Sequence, residues 1–460
     1  MARSRRTIQK VLHRNPCRRV SQNNVLLGAV EAHSLIPYML RRLLDQPMNT
    51  ASRILLSVLL LTAGMAFGQE AKRLTLQGAL AMADNQNLDL AAARERRAFA
   101  AAGIEIARQR PNPVLTFSAS RDAPHEGALV DQPLELGPKR QRRIEVARGE
   151  SVLTELEIAA LSRQVRHRVR DAYHAAQYAK SVSGQKSSLL ALAKRLQEIA
   201  QARFNAGDVP ELEVIQTEVE LARADAEVKL AKQEEAVAVS RLNALLNEPA
   251  KRQWEFSDSL EMLPAAPARV ELSDKAMQVN ADLQRTKQEQ AIEQAREKLL
   301  RAERIPEFSV GVGGDFNNRN AADPNASGSY TAALRGQFTM GLPLFSRYQG
   351  EIAQSVAAQK QLTREMDATR RTIEAEVESA ALEFEARTAQ AGIFRRTVAP
   401  AAQRLASMAE ESYKAGKANI LTVIDAQRNA NQVQQEYLDS VLAAQQSFAE
   451  LEEVVGASLD

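Results

Sequence analysis

Residues able to do chemistry are scarce in this chain of 460 residues, which holds one cysteine, one tryptophan and five histidines. His167 and His174 stand seven apart, a spacing that brings two imidazoles onto one helix face near a single metal ion. No third ligand pattern accompanies them, so two ordinary helix-surface histidines are the expectation, and His125 stands alone. The carboxylates of residues 211–227 read as a solvated face rather than a paired acid and base. No phosphate-cradling loop and no activated nucleophile motif is present. The residues point to no catalytic site, no cofactor and no resident metal.

The charges are unevenly placed. The chain carries 60 Lys+Arg and 57 Asp+Glu, but residues 1–47 hold nine basic and two acidic residues, together with the only cysteine, Cys17. Arg53, an apolar run from Ile54 to Phe67, and the small residues Ala66 and Gly68 before Gln69 then form the pattern of a secretory signal peptide. The run is too short for a membrane helix, which needs about 20 apolar residues. A leader belongs at an N-terminus, so 1–47 is expected to be an upstream extension, with translation starting at Met48 or Met39, and 48–68 a removed leader. Residues 69–460 then carry 50 basic and 55 acidic groups and no cysteine. The basic balance that would suggest nucleic acid disappears with the extension, and packing rather than disulfides must stabilise the rest.

The elements are legible from proline. None occurs between Pro138 and Pro210, nor between Pro343 and Pro400, and shorter free stretches cover 211–248 and 268–305. Proline costs about 3 kcal/mol inside a helix, so these Ala-, Leu-, Glu- and Arg-rich stretches read as helices. Leu189, Leu192, Leu196 and Ile199 follow the 3-4-3 spacing of a coiled-coil seam. A helix over 139–205 would be about 100 Å long. Two helices over 211–247 and 268–304 are expected to return end to end. A second descent over 346–415, a half return over 417–456 and a matching segment over 74–110 complete the plan.

The chain is duplicated. Arg203-Phe204-Asn205-Ala206-Gly207, followed by Leu212, Val214 and Ile215, matches Ser412-Tyr413-Lys414-Ala415-Gly416, followed by Leu421, Val423 and Ile424, at an offset of 209. Gly207 and Gly416 read as helix C-caps that turn two helical hairpins. Repeats are expected over 69–260 and 261–460, with strands near 114–136 and 307–344 and tips near 204–211 and 413–420.

Each repeat holds a non-helical insert. Phe308, Val310, Val312, Gly314 and Phe316 alternate with polar or small residues, and after a polar loop over 317–329 the alternation resumes through Tyr330, Leu334, Phe338 and Met340 to Leu344. Leu115, Phe117, Leu134 and Leu136 give a weaker version. Strands of about 10 residues, apolar on one face and polar on the other, suit a transmembrane β-barrel. Four strands cannot close one, because barrels begin at about eight, so several copies must contribute.

These features resemble the TolC-type outer-membrane efflux proteins. The resemblance rests on Leu74-Thr75-Leu76-Gln77-Gly78-Ala79-Leu80 with Asn87-Leu88, on Pro111-Asn112-Pro113, on the two tip motifs, and on Asp425-Ala426-Gln427-Arg428. The segment Gln132-Pro133-Leu134-Glu135-Leu136-Gly137-Pro138-Lys139-Arg140 is similar to the E-L-G-G-K-R stretch of CzcC-like, heavy-metal members, with Pro138 in place of their second glycine. The implied fold is mainly α with a small β part. Long coiled-coil hairpins form a periplasmic α-barrel, and four strands per chain enter a trimeric 12-stranded barrel in the outer-membrane lipid. The implied function is passive conduction in a tripartite efflux system, with a periplasmic adaptor and an RND-type inner-membrane pump as partners and heavy-metal cations among the cargoes. Asp425, Thr422 and Gln216 are the candidates for a pore constriction. Ala206, Gly207, Asp208, Val209, Ala415, Gly416, Lys417 and Ala418 are the candidates for adaptor docking. A periplasmic adaptor or an exported structural or adhesin protein would also carry coiled-coil hairpins, but neither requires duplicated amphipathic strand pairs.

Overall fold

A computed structural model describes residues 72–121, 124, 126–265, 268–316 and 333–459. The expected extension, the leader, Cys17, His125 and the polar loop with Tyr330 lie outside the described residues. The element order is β1 (Lys72–Leu74), α1 (Leu76–Gln86), α2 (Leu88–Arg108), β2 (Val114–Ala119), β3 (Glu126–Leu134), α3 (Lys139–Asn205), α4 (Glu211–Leu245) and β4 (Trp254–Phe256). It continues with α5 (Arg269–Val279), α6 (Ala281–Glu303), β5 (Phe308–Phe316), β6 (Ala333–Met340), α7 (Gln349–Ile393), a π turn (Phe394–Val398), α8 (Ala399–Lys414) and α9 (Ile420–Val455).

The proline-free stretch from Lys139 becomes one helix of 67 residues, about 100 Å long. The expected single helices over 74–110 and 268–304 are each broken once. Asn87 ends α1 in an extended conformation and accepts from the Leu90 amide at 3.1 Å, which starts α2. Asn280 does the same between α5 and α6, accepting from Asp282 at 3.0 Å and Leu283 at 3.3 Å. An asparagine side chain competes with the helix for backbone groups and so favours a cap over an interior position. The descent expected over 346–415 is interrupted as well. Pro400 has no N–H to offer the Arg396 carbonyl, and the Ala399 amide instead reaches Phe394 O, the i−5 bond of a π turn.

Two packed belts gather the ends of the shorter helices around the long ones. In the first, Leu80, Leu90, Val165, Tyr173, Leu242 and Trp254 are buried together. In the second, Leu272, Leu283, Val377, Phe384, Phe448 and Leu451 are. The asparagines tie into both: Asn87 Nδ2 donates to Leu245 O at 2.9 Å and Asn280 Nδ2 to Val454 O at 3.0 Å. A short parallel pairing of β1 with β4, Lys72 opposite Trp254, closes the first belt and was not foreseen in the sequence.

β2, β3, β5 and β6 form one antiparallel sheet in that order. Val130 pairs with Leu115 and with Val312, and Val312 pairs with Gly336, so the alternating residues of all four strands share faces. One face carries Phe117, Val130, Val310, Val312, Leu334 and Phe338, all exposed; the other carries Thr116, Asp131, Asp315, Arg335 and Gln337. The strands run 6, 9, 9 and 8 residues, shorter than expected. β6 stops at Met340 because Pro343 cannot donate to a ladder, which leaves Leu342 and Leu344 outside the sheet. No described helix is long and apolar enough to cross a membrane.

Candidate conduction and docking sites

The two helical tips are built by the same local chemistry. After α3, the Ala206, Gly207 and Asp208 amides donate to Ala202 O, Phe204 O and Arg203 O at 3.1, 2.9 and 2.9 Å. After α8, the Ala415, Gly416 and Lys417 amides donate to Glu411 O, Tyr413 O and Ser412 O at 3.0, 2.9 and 2.9 Å. The 6→1 bond and left-handed glycine are those of a Schellman motif, with φ +79° at Gly207 and +69° at Gly416. A Cβ at either glycine would meet nothing within 4 Å. Ala206, Asp208, Ala415 and Lys417 are exposed, and Val209 and Ala418 are half-buried. The eight docking candidates therefore form two open turns.

Of the constriction candidates, Asp425 and Thr422 are exposed on the first two turns of α9, and Gln216 is half-buried on α4. Asn419 caps α9 by accepting from the Thr422 amide at 2.9 Å, and the Thr422 hydroxyl donates to the same oxygen at 2.8 Å. The hydroxyl is thus engaged in starting the helix. Asp425 stands 3.9 Å from Arg428, whose guanidinium is ion-paired to Glu220 of α4. That bond to Glu220 holds the Arg428 proton more firmly than in a free guanidinium.

Sequence reading missed this cross-link, because Glu220 and Arg428 are 208 residues apart. It also missed a second link, in which the buried Tyr413 donates to Glu213 at 3.2 Å while Arg203 lies 4.9 Å over its ring. Burial, and then the Glu213 charge, push the Tyr413 hydroxyl above its ordinary value. Leu196, Tyr413, Ile420, Val423 and Ile424 form the apolar core of the tip. Above it, α3, α4 and α9 enclose a cavity of about 520 Å³ whose walls include Leu192, Thr217, Glu220, Arg428 and Gln432.

The histidines do not converge. His167 Nε2 lies 3.2 Å from Asp171 and 3.3 Å from Glu453, while His174 Nδ1 contacts Gln177 Oε1 at 3.1 Å. Burial raises the Asp171 carboxyl above its usual range, against a smaller lowering by His167. Among the described residues, no group of three or more His, Cys, Asp or Glu is arranged to hold a metal ion. Nor does the Gln132–Arg140 segment form a ligand set. Lys139 is buried against Glu303 at 3.2 Å and Glu307 at 3.5 Å, and Arg140 Nε donates to Arg108 O at 2.6 Å. These charges fasten the start of α3 to the ends of α2 and α6. Gly137 has φ +74°, and a Cβ there would come within 2.5 Å of Ile305.

Comparison with known proteins places this geometry among relatives. The family model described as outer membrane efflux protein matches residues 79–248 and 272–457, two segments that each contain one tip. The chain is 26% identical over 386 residues to the cobalt-zinc-cadmium resistance protein CzcC of Cupriavidus metallidurans, covering 83% of this chain and 90% of that one. Among solved structures it is similar in fold to CusC (TM-score 0.67, 18% identity, 85% of this chain and 96% of that one). It is also similar to the outer-membrane channel OprN (TM-score 0.66, 18% identity, 83% and 90%).

Proposed function

The chain belongs to the outer membrane efflux protein family, and from that premise we propose that three copies form a passive conduit from the periplasm through the outer membrane, supplied by an adaptor and an RND-type inner-membrane pump. The observation that carries this is the four-stranded sheet. It is amphipathic across all four strands, lies open at both edges, and leads directly into a helix about 100 Å long. A bilayer demands that every backbone polar group be paired, so an open sheet can enter lipid only when further copies complete a barrel. An adaptor or adhesin has no use for such a sheet. Copies closed into a ring would line a tunnel with the chain's fixed charges, and OprN, which is similar in fold, is named as a channel.

Divalent metal cations are the proposed cargo. The support is the likeness to a relative named for cobalt, zinc and cadmium resistance. Purified protein should insert into planar bilayers as a multimer and give stepwise ionic conductance. A folded, membrane-inserted protein without conductance overturns the channel reading. Cells lacking the gene should accumulate zinc, cobalt or cadmium, and unchanged metal levels would remove the cargo assignment alone.

The open turns around Gly207 and Gly416 are the proposed adaptor-docking surface. A Cβ at position 416 meets nothing within 4 Å, and the left-handed φ of a non-glycine residue there costs about 1–2 kcal/mol. Gly416→Trp should therefore abolish efflux while the multimer still migrates as folded. Ala415→Trp, which carries no φ strain, should do the same. Full resistance in both variants counts against tip docking.

A further inference from the structure

One end of the sheet carries a band of arginines that passive conduction does not use. Leu134 pairs with Phe308 and Phe308 with Met340, so β3 ends, β5 starts and β6 ends at one level. The helices join the sheet here: α2 ends at Arg108, α3 starts at Lys139, α6 ends at Glu303 and α7 starts at Gln349. Four guanidiniums at this junction have no carboxylate partner among the described residues, two in each repeat. Arg140 Nε donates to Arg108 O at 2.6 Å, Arg304 Nε to Arg347 O at 3.0 Å and Arg347 Nε to Pro343 O at 3.1 Å. Each of these uses one N–H on a backbone carbonyl and keeps its terminal amino groups free, and Arg110 makes no bond to another described residue. Arg110, Arg304 and Arg347 are exposed and Arg140 is half-buried.

The nearby carboxylates are engaged elsewhere. Glu135 pairs with Arg143, and the buried Lys139 takes both Glu303 and Glu307. Glu351, in the first turn of α7, makes no ion pair with Arg347. Lys139 thereby neutralises the two carboxylates that would otherwise repel an anion beside Arg304.

The apolar side chains change character at the same level. Phe308 and Phe338 stand 5.6 Å apart between ring centroids, in the rungs of the sheet nearest the helices. Beyond Met340, Leu342, Leu344 and Phe345 are exposed outside the sheet, and Phe345, at 93%, is the most exposed large apolar side chain among the described residues. A bare phenylalanine two residues from an unpaired arginine suits a membrane–water boundary, where apolar and cationic groups lie side by side. Guanidinium matches phosphate with two parallel hydrogen bonds, and basic groups at that depth attract anionic lipid.

We infer that this band is a binding site for anionic phospholipid in the leaflet on the helical side. Arg110 with Arg140, and Arg304 with Arg347, take headgroup phosphates, while Leu342, Leu344 and Phe345 lie against the first acyl carbons. The site fixes the height of the sheet in the bilayer. It rests on the reading of the sheet as part of a membrane barrel.

Native mass spectrometry of the purified full chain, in neutral detergent with dioleoylphosphatidylglycerol or dioleoylphosphatidylcholine, counts the lipid that the multimer retains. Wild type should retain phosphatidylglycerol in preference. Arg110→Gln/Arg347→Gln, both at exposed positions, should leave the multimer folded and weaken that retention about fivefold per arginine. Arg335→Gln, on the polar face and 3.7 Å from Asp315, should leave it unchanged. In planar bilayers the double variant should keep the wild-type ion selectivity. Equal retention of the two lipids by wild type, or undiminished retention by the double variant, overturns the site and leaves the channel reading intact. So does a shift in ion selectivity with retention unchanged, which would place the arginines in the lumen. Wild-type protein that neither inserts nor conducts overturns both.

Discussion

The two halves of the chain share their tips and differ in the helices that lead to them. In the first half, α3 descends without interruption for 67 residues, and Pro210 starts the return helix with no side-chain cap. In the second, the descent is cut by the π turn before Pro400, and Asn419 caps α9 through its side chain. Yet the Schellman turns agree bond for bond, and Asn87 and Asn280 tie to the ends of α4 and α9 by the same amide-to-carbonyl bond. Duplication has kept the positions where the backbone must stop or turn. It has let the intervening helix vary, because a helix surface tolerates substitution wherever its seam is preserved. Burial differs too. The first belt is closed by a two-stranded sheet and Trp254, whereas the second is filled by the Phe384–Phe448 pair with centroids 5.2 Å apart.

That comparison breaks most visibly in the belts. Phe384→Ala should destabilise the second half by about 3–5 kcal/mol and Leu242→Ala the first by about 2–5 kcal/mol. Both residues are essentially inaccessible to solvent. Thermal unfolding measures each, and a negligible shift for either would mean that its belt is not a packed core. The asparagines come next. Asn87→Ala and Asn280→Ala should cost similar amounts, about 1–2 kcal/mol each, because each loses a cap and leaves a carbonyl unpaired. Costs that differ several-fold would show that the two breaks are only superficially alike.

A smaller effect belongs to Asp171. Burial raises its carboxyl in the folded state, so the folded chain binds the proton more tightly than the unfolded one. Its contribution to stability is therefore greatest in acid and is lost as pH rises from the ordinary carboxylate value, about 4, through the raised one. Asp171→Asn should flatten the pH–stability curve in that window, and an unchanged slope would assign the effect elsewhere. The first half has no counterpart to Asp425, since Gln216 occupies the equivalent position at an offset of 209. Asp425→Ala should modestly reduce block by multivalent cations in bilayer recordings, whereas Gln216→Ala should leave it unchanged. Equal responses would remove the distinction between the two candidates.

Much of this was legible before any coordinates. Proline spacing marked α3 almost to the residue, and the glycines at the 209 offset marked both tips, because proline and left-handed glycine act through their own backbone and need no neighbour. The period-2 runs marked the sheet for the same reason. The breaks at Asn87 and Asn280 were missed because an asparagine in a helix-rich stretch caps only when a distant carbonyl holds its amide, here Leu245 or Val454. The π turn was missed because Pro400 could equally have ended the helix.

The candidate site divides along the same line. The sequence alone determined the duplicated hairpins, the amphipathic strands and the places where the chain reverses, since these follow from steric limits and periodicities local to a few residues. Only the tertiary structure decided that Arg428 pairs with Glu220 and Tyr413 with Glu213, and that His167 and His174 take separate partners. Those facts depend on which faces of long helices meet. A helix carries the same residues whichever neighbour it finds, and packing selects the neighbour.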